Sequence, residues 1–443
     1  MTQPNPPVTG IKARLSAMMF MEWGIKGLWM PLAGIFLVTE ISQGGLGFTE
    51  SQKGMIIGIP MAIAAFLAPF IAGQLTDRMF PAQKVIGVML VVAGIIKFTN
   101  AYQTGFMIWM ILSIAFAMLY VPTNALTNSL AMAHLRDPKN EFPKIRLWGT
   151  IGWIAVSWIF PMLWLQDNLS FQWLPPFFKG DNVPDITARM VDSVKFAGGL
   201  AIIMGFFCWF GLPNTPPTKK AGEKLAWVAA LKLFKKRSFA VLMIMALPVS
   251  ILQVFYMMNT SPFLKESGLQ QGYIMPAMSL GQFSEIAALI FLGYLLTRLG
   301  FRFVMTFGIF CYALRYFIFG IPGMPVEVHV AAQLLHGLCF GCFYASAFVY
   351  VQRISPKEIH NTTQILFFFV MFGLAPAIGG SWLNGWLAEL CGAPNSVHDL
   401  DSYVRFWRIL SIVGLISAAA FWLLFRDETV DEETEPKPAS QAT

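Results

Sequence analysis

Charged residues are scarce in this sequence. Asp, Glu, Lys and Arg make up only 12% of its 443 residues, whereas about 25% is usual in soluble domains. Hydrophobic residues make up 56%, including 40 Phe, 25 Met and 14 Trp. A soluble fold could not bury that much apolar surface, whereas a lipid bilayer can cover it. The composition therefore excludes an ordinary soluble protein.

Cysteine is also rare, and the few that exist do not form a metal-binding pattern. Five Cys residues sit mostly inside apolar runs, and only Cys339 and Cys342 form a CxxC pair. On a membrane helix this spacing places two small residues on one face, so we interpret the pair as packing. We expect no metal and no cofactor. A nucleotide-binding loop is also missing, which argues against ATP-driven transport.

Long apolar stretches are the main feature that is present. Runs near the ~20 residues that cross the hydrocarbon core recur twelve times. The first follows the polar, Pro-rich start at 1–10 directly, so we expect no cleavable signal peptide. The predicted spans lie near 15–39, 54–76, 85–103, 106–132, 147–165, 195–212, 239–262, 273–296, 302–321, 327–351, 362–385 and 404–425. The fold class predicted is an all-α integral membrane protein.

The basic residues are distributed unevenly about these spans. Of 31 Lys and Arg, 21 fall in the termini and in the loops on the same side, and seven fall in the opposite loops and helix ends. The positive-inside rule places that richer side, and with it both termini, in the cytoplasm. The net charge of +7 is explained in this way without a nucleic-acid partner.

Short motifs recur after corresponding spans. Gly73-Gln-Leu-Thr-Asp77-Arg78 follows span 2, and Gly293-Tyr-Leu-Leu-Thr297-Arg298 follows span 8, at an offset of 220. A Pro-Lys pair follows spans 4 and 10 at an offset of 218 (138–139 and 356–357). These offsets predict two pseudo-repeated six-helix bundles with a substrate held between them.

The predicted bundles divide the chain into four parts. The linker contains apolar residues at helical spacing flanked by Lys, which is typical of an amphipathic helix on the inner leaflet. The tail is acidic and poor in apolar residues, so we expect disorder. The parts are an N-terminal half at 1–212, a basic cytoplasmic linker at 213–238, a C-terminal half at 239–425 and the tail at 426–443.

Two motifs resemble known transporters. The run at 73–78 resembles the loop signature of the major facilitator superfamily, in which Asp77 and Arg78 would pair across helix ends and gate the transport path. The run Phe142-Pro-Lys-Ile-Arg146-Leu-Trp-Gly-Thr150-Ile-Gly-Trp153 resembles the bacterial nucleoside:proton symporter family of that superfamily. The resemblance covers nearly the whole chain. Further matching pieces are Glu22 to Trp29, Tyr120-Val-Pro-Thr123 with Asn128, Leu252-Gln253, Gln282-Phe-Ser-Glu285 and His336-Gly-Leu-Cys-Phe340.

The span-5 motif supplies the first candidate substrate residues. Arg146, Thr150 and Trp153 fall at i, i+4 and i+7, which is one helical face. A guanidinium, a hydroxyl and a large ring on one stripe suit a ribose and a stacked base. The alternative is that Arg146 only extends to the cytoplasmic interface, as Arg near helix ends often does.

Span 8 supplies a carboxyl group in the middle of the membrane. Gln282 and Glu285 lie at i, i+3, and an intramembrane carboxyl nearly always faces a cavity or a partner. We expect both to bind substrate and Glu285 to be the main proton-coupling group. The alternative is a structural ion pair, for example with Arg315 in the next span.

Spans 7 and 10 supply the remaining candidates. Gln253 and Tyr256 share one face of span 7, and without the resemblance they would be interpreted as polar packing residues. Aromatic stripes such as the one on span 10 are also more often packing than ligand platforms. The resemblance implies that the positions of His336 and Phe340 line the nucleoside site, where a base can stack.

The sequence departs from the resembled family at two points. Members of the family carry a carboxylate directly after the span-10 Phe, and here that position is Gly341; span 1 also carries Lys26 one turn from Glu22. We expect Glu22 and Lys26 to form an intrahelical ion pair. Glu22 is a second candidate proton-coupling group, although that pairing would neutralise it.

The function expected from these observations is import of nucleosides by proton symport with alternating access. The alternatives are a sugar or oligosaccharide symporter of the same superfamily, or a membrane-embedded transferase, for which the 166–194 loop is short and lacks His. The expected setting is a multi-pass monomer in the lipid bilayer of a bacterial cytoplasmic (inner) membrane. The expected partners are a nucleoside and a proton.

The topology is testable directly. A reporter that is active only outside the cytoplasm, fused after Arg426, should stay silent because an even number of crossings returns the chain to the side on which it began. The same reporter fused in the 166–194 loop is the positive control. Strong activity after Arg426 would contradict the topology and the two-half organisation with it.

Overall fold

Helices dominate the protein. A computed structural model describes residues 10–78, 80–173, 176–216, 231–356, 359–393 and 399–428, with the backbone alone at 68–78, 138–140 and 361. Within these ranges the helices share lengths and apolar compositions suited to a bilayer. They are α1 (Ile11–Phe36), α2 (Glu50–Arg78), α3 (Ala82–Asn100), α4 (Phe106–His134), α5 (Pro138–Phe160), α6 (Ile186–Gly211), α7 (Arg237–Glu266), α8 (Ile274–Phe319), α9 (Val326–Ile354), α10 (Thr362–Leu390) and α11 (Leu400–Leu424).

Nine stretches in the described part of the chain are long and apolar enough to cross a membrane. One of them, Gln271–Phe319, is 49 residues long and contains two of the predicted spans. Gly300 divides it, because its φ of 75° and ψ of 165° are not helical and suit glycine, which has no Cβ. The multi-span helical fold is confirmed, while the count of twelve crossings stays a prediction, since α1 and α2 are outside those nine.

Three π turns interrupt the helices of the second half. One lies in α9 at Phe340–Ala345, and two lie in α10 at Val370–Leu374 and Gly379–Leu383. A π turn leaves a local break in the i→i+4 ladder and often occurs at functional sites. Phe340, a predicted substrate residue, is the first residue of the turn in α9.

Glycines bring helices into close contact within the first half. Gly94 of α3 faces Gly198 of α6, and two helical turns earlier on α3, Gly87 faces Gly205. A Cβ at Gly94 would lie 2.6 Å from the Gly198 carbonyl oxygen, and one at Gly205 would lie 2.7 Å from the Gly87 carbonyl oxygen. Small residues at such crossings are the usual means of packing helices in a membrane.

The two halves meet along α1 with α7, α2 with α10, and α5 with α8. The α2–α10 contact is the closest, since a Cβ at Gly54 or Gly58 would overlap the carbonyl oxygens of Gly380 or Pro376. The protein therefore consists of two helical bundles packed against each other along these helices.

A small β-hairpin lies outside the predicted spans. β1 (Gln166–Phe171) and β2 (Phe178–Asn182) pair antiparallel, with Gln166 opposite Asn182 and a bulge between Asp167 and Ser170. The hairpin reaches the second half through Tyr273, whose hydroxyl accepts from the Gly180 amide (2.8 Å). Below, the end of the bundle that carries this hairpin, where α1 ends and α2 begins, is called the hairpin end.

Two predicted segments lie largely outside the described residues. The amphipathic helix of the 213–238 linker falls on 217–230 for the most part, and the acidic tail falls on 429–443. The division of the chain at these points stays a prediction.

Candidate functional site

Arg146 is close enough to carboxyl groups of both halves for their charges to interact. It lies in the N-terminal half of α5, and its guanidinium carbon is 4.2 Å from the ring centroid of Trp23 on α1. Its charge interacts with Glu285 of α8 and with Glu22 of α1. The structure thus brings together three predicted site residues that are far apart in the sequence.

Glu22 is held by α4 rather than by its neighbour on α1. Its side chain is fully buried, and its Oε1 accepts a hydrogen bond from the Thr123 hydroxyl (2.8 Å). The Tyr120 hydroxyl donates to the Glu22 backbone carbonyl (2.5 Å). The second carboxyl oxygen, Oε2, is buried without a hydrogen-bond partner.

The expected ion pair between Glu22 and Lys26 is therefore wrong: in the described residues no hydrogen bond or salt bridge joins them. The physical reason is that the Thr123 hydroxyl on α4 donates to the carboxyl group in place of the ammonium, while the Tyr120 hydroxyl holds the backbone at Glu22. Glu22 is therefore not neutralised by its own helix.

On the wall formed by the second half, Gln253 and Tyr256 are positioned by neighbouring helices. The Tyr312 hydroxyl donates to Gln253 Oε1 (2.6 Å), and the Tyr256 hydroxyl donates to Gln333 Oε1 (2.8 Å). The Tyr256 ring also stacks on His336, with centroids 4.6 Å apart and planes at 20°. These contacts fix the amide and the ring before any ligand arrives.

The crossing of α8 and α9 brings the other candidates together. A Cβ at Gly337 would overlap the backbone amide of Glu285, and one at Gly281 would lie 2.9 Å from the His336 side chain. Gln282 Oε1 and His336 Nδ1 are buried without hydrogen-bond partners. Polar atoms buried in this way cost free energy unless a further partner satisfies them.

Arg315 does not pair with Glu285, which removes the structural alternative considered for that carboxyl group. Its guanidinium lies instead against Tyr256, 3.9 Å from the ring centroid, and near the rings of Tyr312 and Tyr316 (both 5.2 Å). The cation whose charge acts on Glu285 is Arg146 of the opposite half.

The remaining predicted residues are placed less decisively. Trp153 packs against Gly27, where a Cβ would lie 3.2 Å from its ring, so it contributes to the α1–α5 contact. Thr150 is partly buried on the same helix, and Phe340 is partly buried 5.4 Å from Tyr344, measured between ring centroids. The side chains of Asp77 and Arg78 are outside the described part of the structure.

A polar network at the hairpin end was not predicted. Lys53 of α2 bonds Glu50 (2.5 Å) and donates to Asn259 Oδ1 of α7 (2.9 Å). Asn259 donates to Asn384 of α10 (2.9 Å), which donates back to the Glu50 carboxylate (3.2 Å). All four side chains are buried. Their only signal in the sequence is polar type at the edges of apolar spans.

Hydrogen bonds between the halves cluster at this end. Besides the network, Trp158 donates to Ser279 (3.0 Å), and the β-hairpin bonds Gly272 and Tyr273. Between side chains that the structure describes, no hydrogen bond links the halves at the opposite end. The described conformation is therefore closed at the hairpin end.

This arrangement suits a carrier. Among the described residues no three His, Cys, Asp or Glu side chains lie close enough to hold a metal ion. What the fold provides is a pair of walls, one from each half, with buried polar atoms that lack partners and with charges that interact between the halves. A two-bundle membrane fold with such walls defines a solute transporter of the major facilitator type rather than an enzyme.

The chain belongs to the nucleoside H+ symporter family, whose sequence profile matches residues 9–430. The putative nucleoside transporter YegT of Escherichia coli (strain K12) is 31% identical over 428 residues, which cover 94% of each chain. The xanthosine permease of the same organism is 25% identical over 438 residues, covering 94% of this chain and 96% of that protein.

The fold is also similar to a solved structure of this kind. The crystal structure of the nucleoside transporter NupG superposes with a TM-score of 0.77 at 22% identity, over 95% of this chain and 100% of that one. At this identity the likeness supports the fold, and the site rests on the residues described above.

The hairpin-end network predicts an effect on opening. Asn259→Ala removes the hydrogen bond from Lys53 across the halves and the bond to Asn384 that positions the partner of Glu50. Each such bond contributes about 0.5–1.5 kcal/mol, so this end should open more often. Thiol labelling of a Ser51→Cys reporter, which lies beside Gly385 in the closed interface, should then be faster in the purified protein. The five native Cys residues are buried, which keeps background labelling low.

The control for this experiment is Asn100→Ala, because Asn100 is a buried amide that bonds Ser113 within one half. It should leave the labelling rate of the Ser51→Cys reporter unchanged. Equal labelling in the Asn259→Ala and Asn100→Ala backgrounds would show that the network does not hold the halves together.

Proposed function

We propose that this protein imports nucleosides together with protons by alternating access. The observation that carries the proposal is the interaction of Arg146 with carboxyl groups of both halves, in a chain of the nucleoside H+ symporter family. A charge shared across the two bundles responds to anything that separates them. A solute bound between the bundles is therefore linked to their relative position.

The nucleoside binds among groups whose chemistry fits a sugar and a base. Arg146, Gln253 and Gln282 supply donors and acceptors for hydroxyls and base edges, and Phe340 supplies a ring for stacking. Gln282 Oε1 and His336 Nδ1 lack partners in the structure, and a bound nucleoside satisfies both. Thr150, Trp153 and Tyr256 complete the proposed site.

The proton is carried by carboxyl groups rather than by a span-10 acid, since Gly341 occupies that position. Glu285 is the main coupling group, and Glu22 is the second. Each shares the charge of Arg146. When one of them takes up a proton, Arg146 is freed to interact with the other or with the substrate, which links proton and nucleoside binding.

The hairpin end faces outward in the bacterial inner membrane, with both termini in the cytoplasm. The closed hairpin end then corresponds to a state that exchanges solute with the cytoplasm. At the opposite end Asp77 and Arg78 form the proposed inner gate. The protein works as a monomer, because each monomer contains both walls of the site.

Substitution of the site residues should weaken nucleoside binding without unfolding the protein. Arg146→Ala, Gln253→Ala and Gln282→Ala each remove hydrogen bonds that contribute about 0.5–1.5 kcal/mol. Phe340→Ala removes stacking that contributes about 1–3 kcal/mol. Binding of labelled uridine and adenosine, together with thermal stability in detergent, measures both effects.

Gln83→Ala is the matched control, because Gln83 is a buried amide that bonds Asn214 outside the site. Maltose serves as the sugar arm. Binding of maltose but not of nucleosides by the wild-type protein would contradict the proposed substrate. Normal nucleoside binding by Arg146→Ala would remove that residue from the site.

Glu285→Gln should separate exchange from coupling. The amide resembles the protonated acid, so proteoliposomes should still exchange labelled for unlabelled nucleoside but should lose accumulation driven by a pH gradient. Glu141→Gln is the control, since Glu141 pairs with Lys12 near the chain start and should leave accumulation intact. Full gradient-driven accumulation by Glu285→Gln would move the coupling role to Glu22 or to another group.

A further inference from the structure

Lys97 is a buried cation inside the first half. Its side chain is 1% exposed, and it lies on α3 with its Nζ 3.3 Å from the ring centroid of Trp29 on α1. Phe116 and Trp109, both on α4, complete the enclosure, with ring centroids 4.9 and 5.8 Å from the Lys97 Nζ. Two helices of the first half thus surround the amine of a third with aromatic rings.

No anion neutralises this amine. In the part of the chain that the structure describes, Lys97 forms no salt bridge and no side-chain hydrogen bond. An ionisable residue kept in the membrane interior without a counter-charge is costly, and its presence there points to a function.

None of the charged groups described on the packed helices forms a salt bridge with Lys97. Glu22 of α1 bonds Thr123, and Lys26 of the same helix forms no ion pair in the described residues. Other groups on neighbouring helices have partners of their own. Tyr120 and His134 of α4 bond Glu22 and Thr215, and Lys12 and Arg14 of α1 bond Glu141 and the Gly211 carbonyl. On α6, Asp192 pairs with Lys195 and Arg189 bonds the Trp164 carbonyl, and on α2 Glu50 pairs with Lys53.

The second half contains the equivalent of this site. Arg315 follows Lys97 by 218 positions, the offset that also relates the Pro-Lys pairs of the repeat. Arg315 is likewise fully buried against aromatic rings, with its guanidinium 3.9 Å from the Tyr256 ring centroid. The third predicted span of each half therefore contains a buried cation enclosed by aromatic rings. In the second half this span is the part of α8 that follows Gly300.

The two cations differ in one chemical respect. A guanidinium stays charged in proteins, whereas a lysine ammonium can release its proton when it is buried. In the second half, the fixed charge of Arg315 therefore holds the surrounding aromatic rings in place. The first half has the residue that can also lose its charge.

We propose that Lys97 exchanges a proton during transport, as a proton-binding residue additional to the carboxyl groups named above. The ammonium gives one H⁺ to solvent and becomes an amine, and it takes one H⁺ back to complete the cycle. The coupling of this proton to nucleoside transport rests on the proposed function. The choice of Lys97 as the residue rests on its enclosure by aromatic rings.

Trp29 connects this exchange to the substrate site. An ammonium is attracted to the face of an indole ring, and a neutral amine loses that attraction. Trp29 lies on α1 seven residues after Glu22, on the same helical face, and α1 also carries Trp23 beneath Arg146. A movement of α1 during transport therefore changes the proton affinity of Lys97, and the reverse holds by linkage.

The test is a pair of substitutions in proteoliposomes. Lys97→Arg keeps the charge and the contact with the rings but removes the exchangeable proton, and Lys97→Met removes both. We expect both variants to retain exchange of labelled for unlabelled uridine and to lose accumulation driven by a pH gradient. Lys195→Met is the control, since Lys195 lies over the Tyr102 ring (4.7 Å) and pairs with Asp192 at the end of the same half.

Gradient-driven accumulation by Lys97→Arg at the wild-type level would overturn the proposal, because it would show that only the fixed charge matters. Absence of uridine exchange in the wild-type protein would instead contradict the proposed function. The two failures are therefore distinguishable.

A second measurement on folded protein covers the case in which either variant fails to fold. The fluorescence contribution of Trp29 is obtained as the difference between wild type and Trp29→Phe, followed from mildly acidic to alkaline pH. We expect this contribution to change with pH, and to change in the same way in a Glu22→Gln background. A contribution that is constant while the protein stays folded would overturn the proposal.

Discussion

The rest of this structure depends on one constraint, which is that a charge buried in a medium of low dielectric constant must be stabilised by its neighbours. An ion buried between two membrane helices is stable only if other charges, hydrogen bonds or rings replace water around it. Arg146 satisfies this condition through Trp23 and through carboxyl groups of both halves. Because its partners belong to different bundles, the arrangement of the bundles and the charges of the site cannot change independently.

The same constraint acts at the hairpin end, where buried polar groups hold the two halves together. The bonds from Lys53 to Asn259 and from Asn384 to Glu50 exist only while α2 is in contact with α7 and α10. When that end opens, water replaces these partners, so the cost of opening is moderate rather than prohibitive. A closure made of hydrogen bonds, with glycines that let α2 and α10 approach, can open and close repeatedly, which a large apolar interface could not.

Hydropathy alone predicts the helical spans, since length and apolarity follow directly from the thickness of the bilayer. The β-hairpin at 166–182 escaped prediction because its strands are short, polar and without alternation. The Glu22–Lys26 pair was predicted wrongly because spacing within one helix says nothing of the Tyr120 and Thr123 hydroxyls on another. Contacts such as Lys53 with Asn259 join residues 206 positions apart, and only the packing of the helices reveals them. The site residues were chosen from a resemblance, and their grouping around Arg146 required the fold.

Calorimetry of uridine binding to the purified protein, repeated in two buffers of different ionisation enthalpy, tests the central claim most directly. The difference in heat between the buffers gives the number of protons taken up with each nucleoside. If the buried charges between the halves link the two ligands, binding near neutral pH takes up protons, and Glu285→Gln reduces that number. Identical heats in both buffers, with normal uridine affinity, would contradict the account, because nucleoside and proton would then bind independently.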